Sequence, residues 1–396
     1  MRVLYSFPHG IGAPGIGTTA IHQVLGLLDR GHDVTVMATS IHRSSPPLPK
    51  AIETMAVGGR RVPHRILGMD RAMAYHDWCV AKHLQSRPTS YDVAHCWPGA
   101  TLHTARAALS LGIPSLREAP NTHTADAYEV VGRLCGELGL VLPKGHSHRR
   151  NPGRLKRDEA EYAAASHVLA PSDHVMKTFT DRGFSSEKML RHHYGFDPKA
   201  FAPRAAPRRG PLHAVFVGTI GPRKGLHVAL EAWRRAGAPG RARFSIYGRI
   251  VNGYERIIEP YLSLPGVTLH GFTEDAAAAF RAANALILPS FEEGSALVTY
   301  EAQGCGVVPL VSDASGARCT HKVTGLTHRA GDVDELAGHI ALLMDQPELL
   351  RSMRASVIRH RDRLTWAAAA ERLEDCYQLA RRPWLEDSSL SESVAA

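Results

Sequence analysis

The sequence predicts an α/β protein of two halves, each built on a parallel sheet. Three observations carry this. Apolar runs of strand length alternate with amphipathic runs of helix length over residues 3–182. The same alternation restarts at Ala214, and a turn-rich stretch with neither period separates the two runs. At 396 residues the chain is long enough for two domains of ordinary size.

The elements follow in order. Residues 3–7 are apolar and read as a buried strand. A glycine-rich loop, His9-Gly10-Ile11-Gly12-Ala13-Pro14-Gly15-Ile16-Gly17, comes next. Thr18 or Thr19 can cap a helix reaching Arg30, with Ile21, Val24, Leu25 and Leu28 on one face. Gly31-His32 stops that helix, and residues 33–38 form the next strand. This β-loop-α-β order places ligands at the C-terminal ends of the strands. Further strands are expected at 92–96, 113–116 and 167–170, and helices at 99–111 and 172–182. From Tyr194-Gly195-Phe196-Asp197-Pro198 to Pro211, prolines and Arg204, Arg208 and Arg209 mark a linker. The second half runs strand 214–217, helix 226–235, strand 243–247, helix 254–262, strand 267–270, strand 285–288 and strand 307–311. Helices fill 333–345, 347–360 and 366–381. The division is therefore 1–195, linker 196–211, 212–365, a final helix 366–382 and a tail 383–396 expected to be disordered.

Composition bounds the function. Hydrophobic residues make up 44% and charged residues 21%, as in soluble globular proteins. No apolar stretch approaches the roughly 20 residues of a membrane span. The first residues enter a strand without the apolar core of a signal peptide, so a cytoplasmic location is expected. Six scattered cysteines, with no Cys-x-x-Cys spacing, read as reduced thiols rather than a zinc site. The net charge of +9 suits polyanions, membrane surfaces or nucleotide phosphates. It is concentrated at Lys144, Arg149, Arg150, Arg154, Lys156 and Arg157, beside His146 and His148. That segment reads first as a solvated basic loop and next as an anionic-membrane contact. No nucleic-acid motif accompanies it, and nucleic acid is not an expected partner.

Chemistry gathers around Pro289-Ser290-Phe291-Glu292-Glu293-Gly294-Ser295-Ala296-Leu297-Val298-Thr299-Tyr300-Glu301-Ala302. A buried strand, 285–288, delivers two acids and a glycine into a turn before a helix. Free N–H groups at the helix start and a backbone unhindered at Gly294 suit ligand oxygens. Glu301 lies about two helical turns on and can face the same crevice. A solvated acidic loop is the competing reading. The segment Gly218-Thr219-Ile220-Gly221-Pro222-Arg223-Lys224-Gly225 again ends a strand and sets two cations at a helix start, a clamp for a diphosphate. Gly10-x-Gly12-x-x-Gly15 suits a dinucleotide site as well, but the second strand ends Met37-Ala38-Thr39-Ser40, without the acid a ribose would need.

The Glu293-x7-Glu301 pattern resembles the signature of retaining glycosyltransferases of family 4, which have the GT-B fold of two Rossmann-like domains facing a central cleft. The Gly31-His32-Asp33-Val34-Thr35-Val36 start, Lys224-Gly225, Tyr194-Gly195-Phe196-Asp197 with Phe201-Ala202-Pro203, and Trp366-Ala367 are similar to further family elements, in the family's order. The resemblance implies that Glu293 and the amides of Gly294, Ser295, Ala296 and Leu297 hold a donor sugar. Glu301 would hold the nucleotide ribose, Lys224 the diphosphate, and Gly15 with Gly17 would approach that diphosphate. Thr219 stands where the family has Arg, with Arg223 as the candidate replacement. Base contacts are expected near Gly248-Arg249 and Gly271-Phe272. Acceptor contacts are expected at Glu118, Asn121 and His123. Ser295 stands where the family often has Phe and Ala296 where it often has Gly.

The implied reaction moves a sugar from a nucleoside-diphosphate sugar, UDP-linked by expectation, to an acceptor hydroxyl with retention. No cofactor and no metal are expected. A looser similarity of residues 5–19 to aminoglycoside-antibiotic glycosyltransferases points to a small sugar or aminocyclitol acceptor. A cell-envelope glycan or lipid acceptor, with peripheral membrane contact, fits the net charge better but ranks second. Two rivals from other classes are a nucleotide-sugar isomerase and a non-catalytic polyanion-binding protein.

Overall fold

The computed structural model describes residues 1–57, 60–61, 68–205 and 210–393. Seven strands form the first sheet: β1 (Arg2–Ile11), β2 (Asp33–Ile41), β3 (Ala51–Glu53), β6 (Val93–Cys96), β7 (Ser115–Glu118), β8 (His167–Ala170) and β9 (Met189–Arg191). Their order is β3-β2-β1-β6-β7-β8-β9 and every pairing is parallel. A small antiparallel hairpin, β4 (Ala56–Val57) with β5 (Arg60–Arg61), stands beside it. The second sheet runs β12 (Val267–Gly271), β11 (Arg243–Tyr247), β10 (His213–Val217), β13 (Ala285–Leu288), β14 (Val308–Ser312) and β15 (Leu326–His328), again all parallel. Both sheets reverse direction of growth beside their first strand, which opens a crevice at the strand C-termini.

Helices cover the first sheet on both faces. On one side lie α1 (Ile16–Asp29) and, at the chain's end, α13 (Trp366–Ser393). Tyr5, Val24, Leu27, Leu373 and Tyr377 meet there in one core. On the other side α2 (Met69–Gln85) and α3 (Leu102–Ser110) bury Val80, Leu84 and Ala108 against Leu4 and Ala94. Three more helices of this half are α4 (Thr124–Glu137), α5 (Pro152–Ala164) and α6 (Asp173–Thr180). In the second half α7 (Leu226–Arg235), α8 (Glu255–Leu262), α9 (Ala276–Arg281), α10 (Leu297–Gly304), α11 (Val333–Asp345) and α12 (Pro347–His360) surround a core of Phe216, Trp233, Phe244, Ile287 and Leu310.

Two crossings join the halves. Phe196 bonds backbone to backbone with Leu364 and Trp366, and the Gly195 position has no room for a side chain, since an added Cβ would stand 2.5 Å from the Thr365 carbon. The final helix then returns to the first half, where Trp366 stacks on His22 at 4.9 Å and 5° and Gly26 lets Ala370 approach.

Several expectations change. The first helix begins at Ile16, with Gly15 at φ 90° as its cap, because that left-handed residue turns the chain three positions before Thr18. Residues 152–157 of the expected basic loop instead open a helix, Pro152–Ala164, with Asn151 accepting from Arg154 N at 3.0 Å as the cap. The final helix continues to Ser393, past the expected start of a disordered tail, since extending a formed helix adds a hydrogen bond for each residue fixed. The linker arginines Arg208 and Arg209 lie outside the described residues. Among the described residues no helix is long and apolar enough to cross a membrane.

Candidate active site

Two loops at the C-terminal ends of β10 and β13 meet in the crevice. Gly225, at φ 68°, ends the 3-10 turn Pro222–Lys224 and packs so close to β13 that an added Cβ would stand 2.3 Å from Pro289 O. Phe291 N donates to Arg223 O at 2.8 Å and stitches the loops together. The cations are thereby laid against the acids. Lys224 Nζ is 2.5 Å from Glu293 Oε1, and Arg223 Nη1 is 3.0 Å from Glu293 Oε2. The same Nη1 donates to Glu292 O at 2.9 Å and to Glu292 Oε2 at 3.2 Å. Nε and Nη2 of Arg223 have no protein partner among the described residues.

Glu292, unassigned by the sequence, is fully buried and anchors the two halves. It accepts from Thr122 N at 3.2 Å and Thr122 Oγ1 at 2.7 Å, and His148 Nε2 lies 3.1 Å from its other oxygen. Burial works to raise its pKa, but His148, Arg223 and Thr122 outweigh that and hold the carboxyl well below the usual range. A second link runs from Ser172 Oγ to Gly294 O at 2.5 Å. Gly294 itself sits against the first half, where an added Cβ would stand 1.8 Å from Pro120 O and 3.0 Å from Asn121 N. Nothing local in the sequence flags Thr122, His148 or Ser172, and little flags Glu292, since their partners lie far along the chain. The doubled acid at 292–293 was the one available signal.

Glu301 is half-buried on α10 and its carboxylate has no hydrogen bond among the described residues. Burial pushes its pKa up to about 7, with Lys224 pulling it back. Burial likewise lowers the pKa of Lys224, partly offset by Glu293. Ser295 turns inward, its Oγ bonding to the Tyr300 hydroxyl at 2.7 Å and Gly316 O at 3.0 Å. The Ala296 amide is engaged by Ser315 O at 3.2 Å, so the expected row of free amides from Gly294 to Leu297 is incomplete. The exposed Thr219 joins the cluster through its loop, where Ile220 N donates to Arg249 O and Gly248 N to Gly271 O. The Arg249 guanidinium lies 4.5 Å over the exposed Phe272 ring at the rim. Gly15 is open, with no atom within 4 Å of an added Cβ, whereas Gly17 is packed on Gly10 O.

Of the acceptor candidates, Asn121 alone stays at the cleft. Glu118 is fully buried at the end of β7: Tyr194 donates to it at 2.8 Å, His192 Nε2 is at 2.9 Å and His95 Nε2 at 3.3 Å. Its place at the end of β7 turned it into the core instead of the crevice. His123 caps α4 by accepting from Ala125 N at 3.2 Å, and its ring packs on Tyr162, Phe179 and Phe184. Burial lowers its pKa to about 4, which leaves it neutral. Neither side chain reaches an acceptor in this arrangement.

Two parallel-sheet domains with this site at their meeting edge define a GT-B protein. The fold is shared with sucrose-phosphate synthase from Thermosynechococcus elongatus (TM-score 0.67, 18% identity, 95% of this chain and 98% of that one). It is shared also with Anabaena HepE in complex with UDP and glucose (TM-score 0.65, 16% identity, 95% and 98%). The family model "Glycosyltransferase Family 4" matches residues 14–200, and "Glycosyl transferases group 1" matches residues 211–346. The chain belongs to the family 4 glycosyltransferases. Its curated relatives include D-inositol 3-phosphate glycosyltransferases of Rhodococcus erythropolis (28% identity, 58% of this chain and 58% of that one) and Nocardia farcinica (24%, 93% and 85%). Against those of Thermobispora bispora, Rhodococcus erythropolis and Kribbella flavida, the chain spans 23%, 58% and 60% of the relative's length.

Proposed function

We propose that the protein transfers a sugar, with retention, from a UDP-linked donor to a hydroxyl of a small cyclitol or aminocyclitol acceptor, such as an aminoglycoside intermediate. The observation that carries the reading is the pairing of Lys224 and Arg223 with Glu293 at the cleft, with unpartnered Glu301 nearby. Cations at a crevice can stabilise a leaving diphosphate, and the acids can fix sugar and ribose hydroxyls, so catalysis rests on positioning and charge. UDP is supported by HepE, which was solved with UDP and with UDP-glucose. The relatives named for inositol 3-phosphate support a cyclitol ring as acceptor. No metal is required in this reading, and undiminished turnover in EDTA is the expected result.

A second reading, an acceptor at a membrane surface, draws on the exposed Tyr75 and Trp78, which stack at 6.0 Å on α2 near Arg71 and Lys82, and on similarity to an Escherichia coli O-antigen chain mannosyltransferase. A thermal-shift panel of UDP, GDP, ADP and dTDP with their sugars tests the donor, since a ligand of the native state raises the melting temperature. A UDP shift that is reduced in Glu301→Ala is expected. No shift with any nucleotide would overturn the transferase reading. Turnover with soluble aminocyclitols, against binding to anionic vesicles, separates the two acceptors.

A further inference from the structure

Beyond α4 the chain, still part of the first half, reaches out against the second. Arg256 on α8 bonds to Gly139 O, and Leu140 rests beside Gly253. Leu140 and Leu142 form an apolar cluster with Val131, Cys135 and Val251, the last from the second half. The return limb is tied down by the basic residues: Arg149 donates to Leu142 O at 3.3 Å and Arg154 to Ser147 O at 2.9 Å. The first part of the stretch expected to be a solvated loop is therefore a strap, held by Arg149 from within it and by Arg154 from the first turn of α5.

The strap roofs a cavity of about 160 Å³ whose floor is Thr219, Gly221, Arg223 and Lys224. His146 and His148 form the roof, and His148 is anchored by Glu292. His146 Nδ1 accepts from His148 N at 3.2 Å, so a neutral His146 carries its proton on Nε2. That nitrogen has no protein partner among the described residues. His146 and Arg223 thus both line the cavity, and each keeps N–H groups without a hydrogen bond among the described residues. Donors converging from opposite domains on a small, partly enclosed space suit a compact anion.

We propose that residues 138–151 are the second jaw of the diphosphate site, with His146 donating from the roof to the distal phosphate of a nucleoside diphosphate. This rests on the transferase reading and adds to it a ligand-binding residue from the domain opposite Lys224. A strap of this kind also shields the bound donor from water until the acceptor arrives.

The test is isothermal titration of the full chain with UDP, GDP, ADP and dTDP, each against its monophosphate. The variants are His146→Ala, Arg256→Ala, which frees the strap outside the site, and Lys224→Ala, with melting curves as a check on folding. His146→Ala and Arg256→Ala are expected to weaken the preferred diphosphate by roughly tenfold, as for loss of one charge-assisted hydrogen bond, and to leave the monophosphate unchanged. If Lys224→Ala abolishes diphosphate binding while both strap variants bind as wild type does, the strap proposal fails and the transferase reading stands. Equal losses for mono- and diphosphate would also overturn it. If no diphosphate binds the wild type, both fall together.

Discussion

Glu301 shows how one side chain can carry a testable pH dependence. Its carboxyl titrates near 7 because burial disfavours the charged form, with Lys224 acting in the opposite sense. The folded value exceeds the ordinary 4.5, so the stability linked to this group is full below 4.5 and falls as pH rises toward 7. A ribose held by the ionised form gives the reverse trend for the ligand. Nucleotide affinity should rise between pH 6 and 8 by up to about tenfold, the change in the ionised fraction of a group titrating near 7. Glu301→Gln should flatten the profile, and a slope that persists in this variant would remove Glu301 from ribose binding. Glu118 behaves oppositely. Burial tends to raise its pKa, but His192 and His95 overcome that and hold it well below 4.5, so its stabilisation is present above 4.5 and lost in strong acid. Glu118→Ala should cost roughly 3–5 kcal/mol, as when one partner of a buried pair is removed. Chemical denaturation measures this, and a change under 1 kcal/mol would refute a structural role.

At the level of elements, helix ends and helix crossings do much of the positioning. Ser172 caps α6 by accepting from Val175 N at 3.1 Å while its hydroxyl donates across the cleft to Gly294 O. Ser172→Ala should lower stability by about 1 kcal/mol through the cap alone. Fluorescence-monitored unfolding would read it, and an unchanged midpoint would show the cap to be dispensable. The final helix completes the first core: Leu373, Cys376 and Ala380 are buried, and the Tyr377 hydroxyl shares a 2.7 Å hydrogen bond with His95 Nδ1. Tyr377→Phe should cost about 1 kcal/mol while leaving nucleotide affinity intact. A loss of affinity at unchanged stability would tie this helix to the site instead.

For the whole molecule, the halves are closed on one another. Thr122–Glu292, Ser172–Gly294 and Arg256–Gly139 bridge them, and the crossings at Phe196 and Thr365 are where a hinge would turn. Gly294→Ala places a methyl group against Pro120 O and should wedge the halves apart. Small-angle scattering should then give a larger radius of gyration than wild type, with diphosphate affinity reduced as the jaws separate. An unchanged radius would mean that the contact yields locally. Wild type itself should show a different scattering curve with and without donor.

The alternating elements, the turn-rich stretch near residue 200 and the loops holding Lys224, Glu293 and Glu301 were legible in the sequence, because each is written in short-range periodicity and in turns between strand and helix. The sequence could not determine which acid faces the cleft. Glu118 and Glu292 each end or follow a strand like a ligand-facing residue, yet one lies among two histidines and a tyrosine and the other ties the domains together. Tertiary structure alone decided this, and it decided also that the basic stretch 144–157 would include a strap over the cavity. The reason is physical. Whether a charged side chain is buried, paired or free depends on partners about 70 to 170 residues away, here His192, Tyr194, Thr122 and His148, and no local pattern encodes an encounter over that distance.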